Sequence, residues 1–198
     1  GPLATYRNGP VSSNVRRLMV SNRRATQEAH ERFNVNTFLE EINRRHRASY
    51  QVIAEPNPPE AIIRSKKTTS WIEVTAAFMS REFAEEAWSY ATPGEKPRPM
   101  SSNVIIGPDA EFSRNFVATV KKKLEKVSYV PFREKYGPGY LVVSVQYPLY
   151  GRDTPRFMQQ AWSNTEINDR GCFKSIYLVI RRYRGYQVSL WRGRREDA

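Results

Sequence analysis

The sequence is poor in the residues that build disulfides and zinc sites. It contains one cysteine, Cys172, and two histidines, His30 and His46, among 198 residues. A single thiol cannot close an internal disulfide, and these three side chains cannot supply the four ligands of a structural zinc site. We therefore expect no disulfide scaffold, no zinc module and no Cys–His nucleophile pair.

Long apolar runs and glycine-rich loops are also missing. No stretch approaches the ~20 apolar residues of a membrane-spanning helix, and the residues around Met19 lack the apolar core of a signal peptide. The 10 glycines are scattered, so no predicted strand ends in a loop that would cradle phosphate. We expect a soluble, intracellular protein of the cytoplasm that does not associate with membranes.

Negative charge is scarce relative to positive charge. The chain has 32 Lys and Arg against 20 Asp and Glu, which gives a net charge of +12. Such an excess attracts polyanions, because cationic side chains release the counterions condensed on phosphates. The predicted partner is nucleic acid, DNA rather than RNA. The alternatives are a basic protein that contacts anionic lipid and a basic protein that binds no polyanion.

Length and composition predict one domain with basic ends. Residues 1–30 carry five arginines among small polar residues and are expected to form a basic extension, an arm leading into a short helix. Residues 31–191 are predicted to be a single domain, and 192–198 a basic tail. The side chains expected to contact nucleic acid are Arg16, Arg17, Arg23, Arg24, Lys66, Lys67, Lys121, Lys123, Arg192 and Arg194.

Hydrophobic spacing predicts the order helix, three strands, two helices, three strands. The first helix is expected over 36–46, with an apolar stripe of Val35, Phe38, Leu39 and Ile42. Strands are expected over 49–54, 60–64, 71–75, 140–147, 175–180 and 186–191, and the two later helices over 76–90 and from Asp109 or Ser113 to 127. The run 140–147 is apolar almost throughout, as in a central strand buried on both faces. This order predicts an α/β (α+β) fold with a central mixed β-sheet flanked by helices.

Two glutamates occupy facing strands of the predicted hairpin 60–75. Glu73 lies between Ile72 and Val74, where an ionised side chain needs water, a cation or a partner. Hard cations prefer oxygen ligands and often bridge to substrate phosphates. We therefore predict that Glu60 and Glu73 bind Mg²⁺ or Mn²⁺. The alternative is that Glu73 faces solvent on an amphipathic strand.

The order of these elements resembles a nuclease family. A helix with glutamates, a strand, Pro59-Glu60, a polar turn and Ile72-Glu73-Val74-Thr75 before a helix resemble the PD-(D/E)XK nuclease superfamily, which has a restriction-endonuclease-like fold. The resemblance covers roughly residues 35 to 147. It implies that Glu60 and Glu73 bind the metal and that the carbonyl of Val74 adds a ligand. It also implies a glutamate from the first helix, for which Glu41 is preferred to Glu40.

One position departs from the family pattern. Thr75 stands where the family has a lysine that orients the attacking water, so a lysine is expected from elsewhere. Lys66 and Lys67 lie in the hairpin turn, and Lys122 and Lys126 lie on a helix that packs beside the active strand in this fold. The helix is the preferred source, and Lys126 with Tyr129 resembles a pairing of some relatives.

The implied activity is metal-dependent hydrolysis of phosphodiester bonds by an endonuclease or exonuclease. Relatives that cut both strands commonly pair, so a homodimer is compatible with this activity. The alternative, which Thr75 favours, is a protein with a degenerate nuclease fold that binds nucleic acid without cutting it.

Overall fold

A computed structural model describes residues 13–98 and 106–193, with side chains from residue 22 onward. The side chains of Arg16 and Arg17, and the predicted tail from Arg194, lie outside this description. In chain order the elements are α1 Ser13–His46, β1 Gln51–Ala54, β2 Ala61–Arg64, β3 Thr69–Phe78, α2 Arg81–Ala91, α3 Pro108–Leu124, a 3₁₀ turn Val127–Tyr129, α4 Val130–Tyr136, β4 Gly139–Gln146, α5 Thr154–Ser163, β5 Phe173–Arg182 and β6 Gly185–Gly193.

The strands form one six-stranded mixed sheet in the order β1-β2-β3-β4-β5-β6. The central strands β3, β4 and β5 run parallel, and the outer pairs β1–β2, β2–β3 and β5–β6 are antiparallel. Residues 139–145 of β4 are buried throughout, because the strand has a parallel neighbour on each side and a helical layer on each face. The predicted α+β fold with a mixed sheet is confirmed.

The two faces of the sheet carry separate cores. On one face, Val35, Phe38, Leu39 and Ile42 of α1 pack on the sheet, as the predicted stripe requires. On the other face, α3 packs on the sheet through buried apolar side chains, namely Phe112, Phe116, Val117, Val120 and Leu124. None of the helices in the described ranges combines the length and the apolar character needed to cross a membrane.

The first helix corrects the prediction for the N-terminal region. Residues 13–30, where an arm leading into a short helix was expected, are helical throughout, and the expected boundary between 30 and 31 falls inside α1. This half of the helix has no strong apolar stripe, so periodicity does not reveal it. It nevertheless contains four Arg and two Ala together with Leu18 and Met19, which have high helix propensity.

Four other elements also differ from the prediction. The strand β3 continues to Phe78, where a helix was expected, and α2 begins only after Ser80, whose side chain accepts a hydrogen bond from the Phe83 amide. Neither α4 nor α5 was expected. Each has a proline in its first turn, Pro131 and Pro155, a place where proline starts a helix rather than breaking it.

A close contact fixes the start of β4 against β3. A Cβ atom on Gly139 would lie 2.4 Å from two ring atoms of Trp71, so this position tolerates only glycine without a shift of the indole. The fully buried Trp71 donates from Nε1 to the carbonyl of Gly137 at 2.9 Å and stacks on Tyr129, with 5.7 Å between ring centroids. The absence of a side chain at Gly139 thereby leaves room for Trp71 to pack against Tyr129.

Candidate functional site

The sheet leaves one edge of β3 open at Glu73. The strand β2 begins at Ala61, which pairs with Ile72, so Glu73 is the first residue beyond the paired segment. Glu60 directly precedes β2 and therefore lies beside Glu73. Because β2 does not cover this edge, side chains from the helices on both faces of the sheet can reach it.

Glu73 is a buried carboxylate with one oxygen held and one oxygen free. Its residue is 1% exposed, which excludes the solvent-facing alternative. Oε1 accepts hydrogen bonds from Lys123 Nζ at 2.5 Å and from the Tyr129 hydroxyl at 2.6 Å. Oε2 has no hydrogen-bond partner among the described residues. A buried ionised group requires compensation, which Lys123 supplies to one oxygen only.

A second and a third carboxylate lie next to Glu73. Glu31, on α1, lies close enough to Glu60 and Glu73 for their charges to act on it. Burial, together with the charges of Glu73 and Glu31, raises the pKa of Glu60 to about 8. Burial and the charge of Glu73 also raise the pKa of Glu31. Burial and mutual repulsion thus favour proton uptake by Glu31 and Glu60, and a bound cation would favour their ionised forms instead.

Glu31 and Glu60 line an open cleft with a volume of about 300 Å³. Two arginines on its rim are already paired: Arg24 with Glu28 at 2.8 Å, and Arg32 with Glu55 at 3.2 Å. The carboxylates consequently face a space that a ligand can enter, and these rim cations are not free to neutralise them.

The donor set suits a hard cation. Among the described residues, no three His, Cys, Asp or Glu side chains are arranged to hold a metal ion by themselves. Mg²⁺ is usually held by only one or two protein carboxylates, with water and substrate phosphate completing the shell. The free oxygen of Glu73 and the neighbouring Glu60 fit that pattern. Val74 follows Glu73 with its side chain in the core, so only its main chain could join them.

The lysine at the site is Lys123. It follows the buried Val120 by three residues, so helix geometry turns it toward the sheet. Lys122 is exposed, and Lys126 follows the end of α3 with its Nζ 5.1 Å from the centroid of the Tyr129 ring. The predicted lysines Lys122 and Lys126 thus do not contact Glu73 among the described contacts, whereas Lys123 does.

The glutamate that α1 brings to the site is Glu31, not the predicted Glu41. Glu41 lies ten residues further along the helix, about 15 Å at the ordinary helical rise. It is bound by Arg44 at 2.9 Å and by Arg45, and the hydrogen bond from Arg44 lowers the pKa of Glu41. The expected helix began at residue 36 and so left Glu31 outside. Extending its stripe back from Val35 by four residues would have reached it.

The residues predicted to contact nucleic acid are scattered over the molecule. Lys121 donates to the carbonyl of Glu166 at 2.5 Å and pairs with Glu125. Arg192 lies over the Trp162 and Trp191 rings, at 4.4 and 4.8 Å from their centroids, and so belongs to the packing beside α5. Arg23 is partly buried and Arg24 is paired, as described above, whereas Lys66 and Lys67 are exposed in the β2–β3 turn.

No known protein family, curated protein or solved structure matches this chain. Its function must therefore be inferred from the geometry of the site.

Proposed function

We propose that the protein is a metal-dependent nuclease of the restriction-endonuclease-like type, which hydrolyses phosphodiester bonds in DNA rather than RNA. One observation carries the proposal. Glu73 is buried at an open sheet edge beside Glu60, with one oxygen held by Lys123 and Tyr129 and the other without a partner. A carboxylate so arranged has a free oxygen for a cation, and the neighbouring Glu60 lines the cleft through which substrate can approach.

Each side chain of the site has a role in this proposal. Glu60 and Glu73 would hold Mg²⁺ or Mn²⁺, which when bound acts as a Lewis acid toward the phosphate. Lys123 Nζ would orient the attacking water and offset the charge that develops on the phosphate. Tyr129 donates to Glu73 and fixes the carboxylate, and Glu31 adds a carboxylate next to Glu60.

Lys123 also bears on the departure at Thr75. Alternate residues of a strand point to the same face, so Thr75 and Glu73 share the face of β3 on which α3 packs. Lys123 reaches this face from the helix and supplies there the positive charge that Thr75 lacks. A lysine that comes from α3 instead of residue 75 supports a catalytically competent site over a degenerate one.

The net charge of +12 would supply general affinity for the phosphate backbone. If the protein cuts both strands of a duplex, we expect a homodimer. Sedimentation of the protein with and without duplex DNA tests this. A cytoplasmic location also stays a prediction.

The direct test is cleavage of plasmid, linear duplex, single strands and RNA with Mg²⁺, with Mn²⁺ or with a chelator. We expect wild-type protein and Glu41→Gln to cut DNA when metal is added, and Glu73→Gln to be inactive. Cleavage that survives both the chelator and Glu73→Gln would refute the assignment of the site.

The second candidate is a nucleic-acid-binding protein without catalysis, which Thr75 favours. It predicts that wild-type protein binds these substrates and cuts none of them under any metal condition.

A further inference from the structure

The turn between β5 and β6 carries a dense positive charge. The last pair of the ladder is Arg182 with Gly185, so Tyr183 and Arg184 form a two-residue turn. The Arg182 side chain is held by a hydrogen bond, in which its Nε donates to Gln187 Oε1 at 2.8 Å. Within the described ranges, Arg181 and Arg184 have no ion pair and no side-chain hydrogen bond. The sequence has no acidic residue between positions 169 and 196, so this charge has no neighbour along the chain to neutralise it.

Exposed aromatic rings accompany these arginines. Tyr183 is 99% exposed, and Tyr186 and Phe33 are 49% and 42% exposed. Phe33, on α1, meets Tyr186 edge to face with 4.8 Å between ring centroids. We call Arg181, Tyr183, Arg184, Tyr186 and Phe33 together the hairpin surface.

A small recess opens within the hairpin surface. It has a volume of about 130 Å³ and lies between Phe33, Tyr186 and Arg181 on the α1 side of the sheet. Its inner wall is polar, and the amide of Asn34 there is 1% exposed with an Oδ1 that has no partner among the described residues. The volume is below the ~300 Å³ at which sites for drug-sized ligands begin, and it suits a single planar ring.

This combination of groups favours unpaired bases over a closed duplex. Arginines alone suffice to hold a phosphate backbone, and they do not explain three exposed rings. Aromatic side chains gain affinity by stacking on bases whose faces are free, as they are in single strands. In a duplex those faces are already covered by neighbouring bases.

The register of the sheet gives the distance from the candidate active site. Leu141 of β4 pairs with both Glu73 and Ile176, which places Glu73 and Ile176 in one row across the sheet. Arg182 lies six residues further along β5, about 20 Å at ~3.3 Å per residue, and two strand spacings of ~4.8 Å to the side of Glu73. The resulting separation of about 22 Å corresponds to about six nucleotides at the ~3.4 Å rise of a stacked strand, and to fewer in a more extended single strand.

We propose that the hairpin surface binds a single-stranded segment of the nucleic acid on which the Glu73 site acts. The substrate class is then a duplex with a single-stranded tail, rather than a blunt duplex. The identity of the polymer rests on the proposed function, whereas binding of a tail can be measured without any cleavage.

Fluorescence anisotropy of the full chain in chelator tests this with a blunt duplex and the same duplex carrying tails of about three, six and twelve nucleotides. We expect affinity to increase with tail length up to about six nucleotides and then to level off. Tyr183→Ala should weaken binding to the longer tails about tenfold and leave blunt duplex unchanged. Tyr183→Phe keeps the stacking ring and should restore tail binding.

The charge variant Arg181→Ala/Arg184→Ala should also weaken tail binding and should reduce the salt dependence of log K by about 1.4. Lys66→Ala/Lys67→Ala is the matched control, because it removes two exposed charges from the turn at the opposite end of the sheet. It should leave the gain from the tail intact.

Two results would overturn the inference: a tail that adds no affinity in the wild type, or a Tyr183→Ala variant that weakens blunt and tailed duplexes equally. Adding Mg²⁺ to the same samples and measuring cleavage tests the proposed function separately from tail binding. Intact tail binding without any cleavage refutes the nuclease alone, and cleavage without a tail effect refutes the hairpin surface alone.

Discussion

Glu73 and Glu41 are both bound by basic side chains, but their surroundings differ. The Glu41 side chain is 19% exposed and its partners Arg44 and Arg45 are 71% and 43% exposed, whereas the Glu73 side chain is 2% exposed and Lys123 23%. The Glu41 carboxylate receives both guanidinium groups, while Glu73 keeps one oxygen free. The comparison teaches that sequence proximity to an apolar stripe does not distinguish a surface ion pair from a site, and that burial with incomplete pairing does.

The largest effect is expected when the cation beside Glu73 is removed, rather than a cation beside Glu41. Lys123→Met keeps an apolar stem but removes the charge beside Glu73, and should lower the cleavage rate about a thousandfold. Arg45→Met and Lys122→Met should retain activity within about threefold, since neither cation contacts Glu73. Single-turnover rates at saturating Mg²⁺ measure this. Equal losses in all three variants would break the distinction between the two pairs.

Metal binding should stabilise the Glu73 region and not the Glu41 region. At a Mg²⁺ concentration of about 100 times Kd, linkage predicts a gain of about 2.7 kcal/mol in the free energy of unfolding. Glu60→Gln should abolish the gain, and Glu41→Gln should retain it. Urea unfolding with Mg²⁺ and with chelator tests this. A Mg²⁺ gain that persists in Glu60→Gln would remove this residue from the metal site.

Tyr129→Phe sharpens the role of the hydrogen bond within the buried pair. It deletes the donor to Glu73 while keeping the ring that packs on Trp71, and should destabilise the protein by about 2 kcal/mol. Tyr50→Phe is the matched control, because the Tyr50 hydroxyl bonds Thr68 at an exposed position. Its cost should be below about 0.5 kcal/mol. Equal costs for the two variants, measured by urea unfolding, would contradict this account.

The smallest effect is expected at Glu41. Glu41→Gln should cost less than about 1 kcal/mol, because exposed ion pairs gain little over hydration. That cost should decrease further at about 1 M salt, where screening is strong. Thermal unfolding at low and high salt measures the difference. A larger, salt-independent cost would show that Glu41 behaves as a buried group.

The parts of the fold with a strong local signal were predictable. The apolar run of β4, the stripe of Phe38 and Ile42, and the hairpin that sets Glu60 beside Glu73 all follow from the periodicity of the chain. The first half of α1 was missed, because its side chains have no stripe to reveal the helix. Glu31 was missed with it.

The lysine and the tyrosine of the site required the packing of distant elements. Sequence reasoning selected the helix α3, but the phase of the helix decides that Lys123 and not Lys122 faces β3. Tyr129 is 56 positions from Glu73 in the sequence, and no local pattern predicts a contact over that separation.

The close approach of Gly139 to Trp71 links a backbone position on the neighbouring strand to the candidate site. A side chain at residue 139 would displace Trp71, on which Tyr129 stacks, and Tyr129 holds Glu73. In a random mutational screen for loss of activity, substitutions at Gly139 would therefore be recovered together with those at Glu73. A map drawn from such a screen would extend the site to the start of β4, at a residue that carries no functional group.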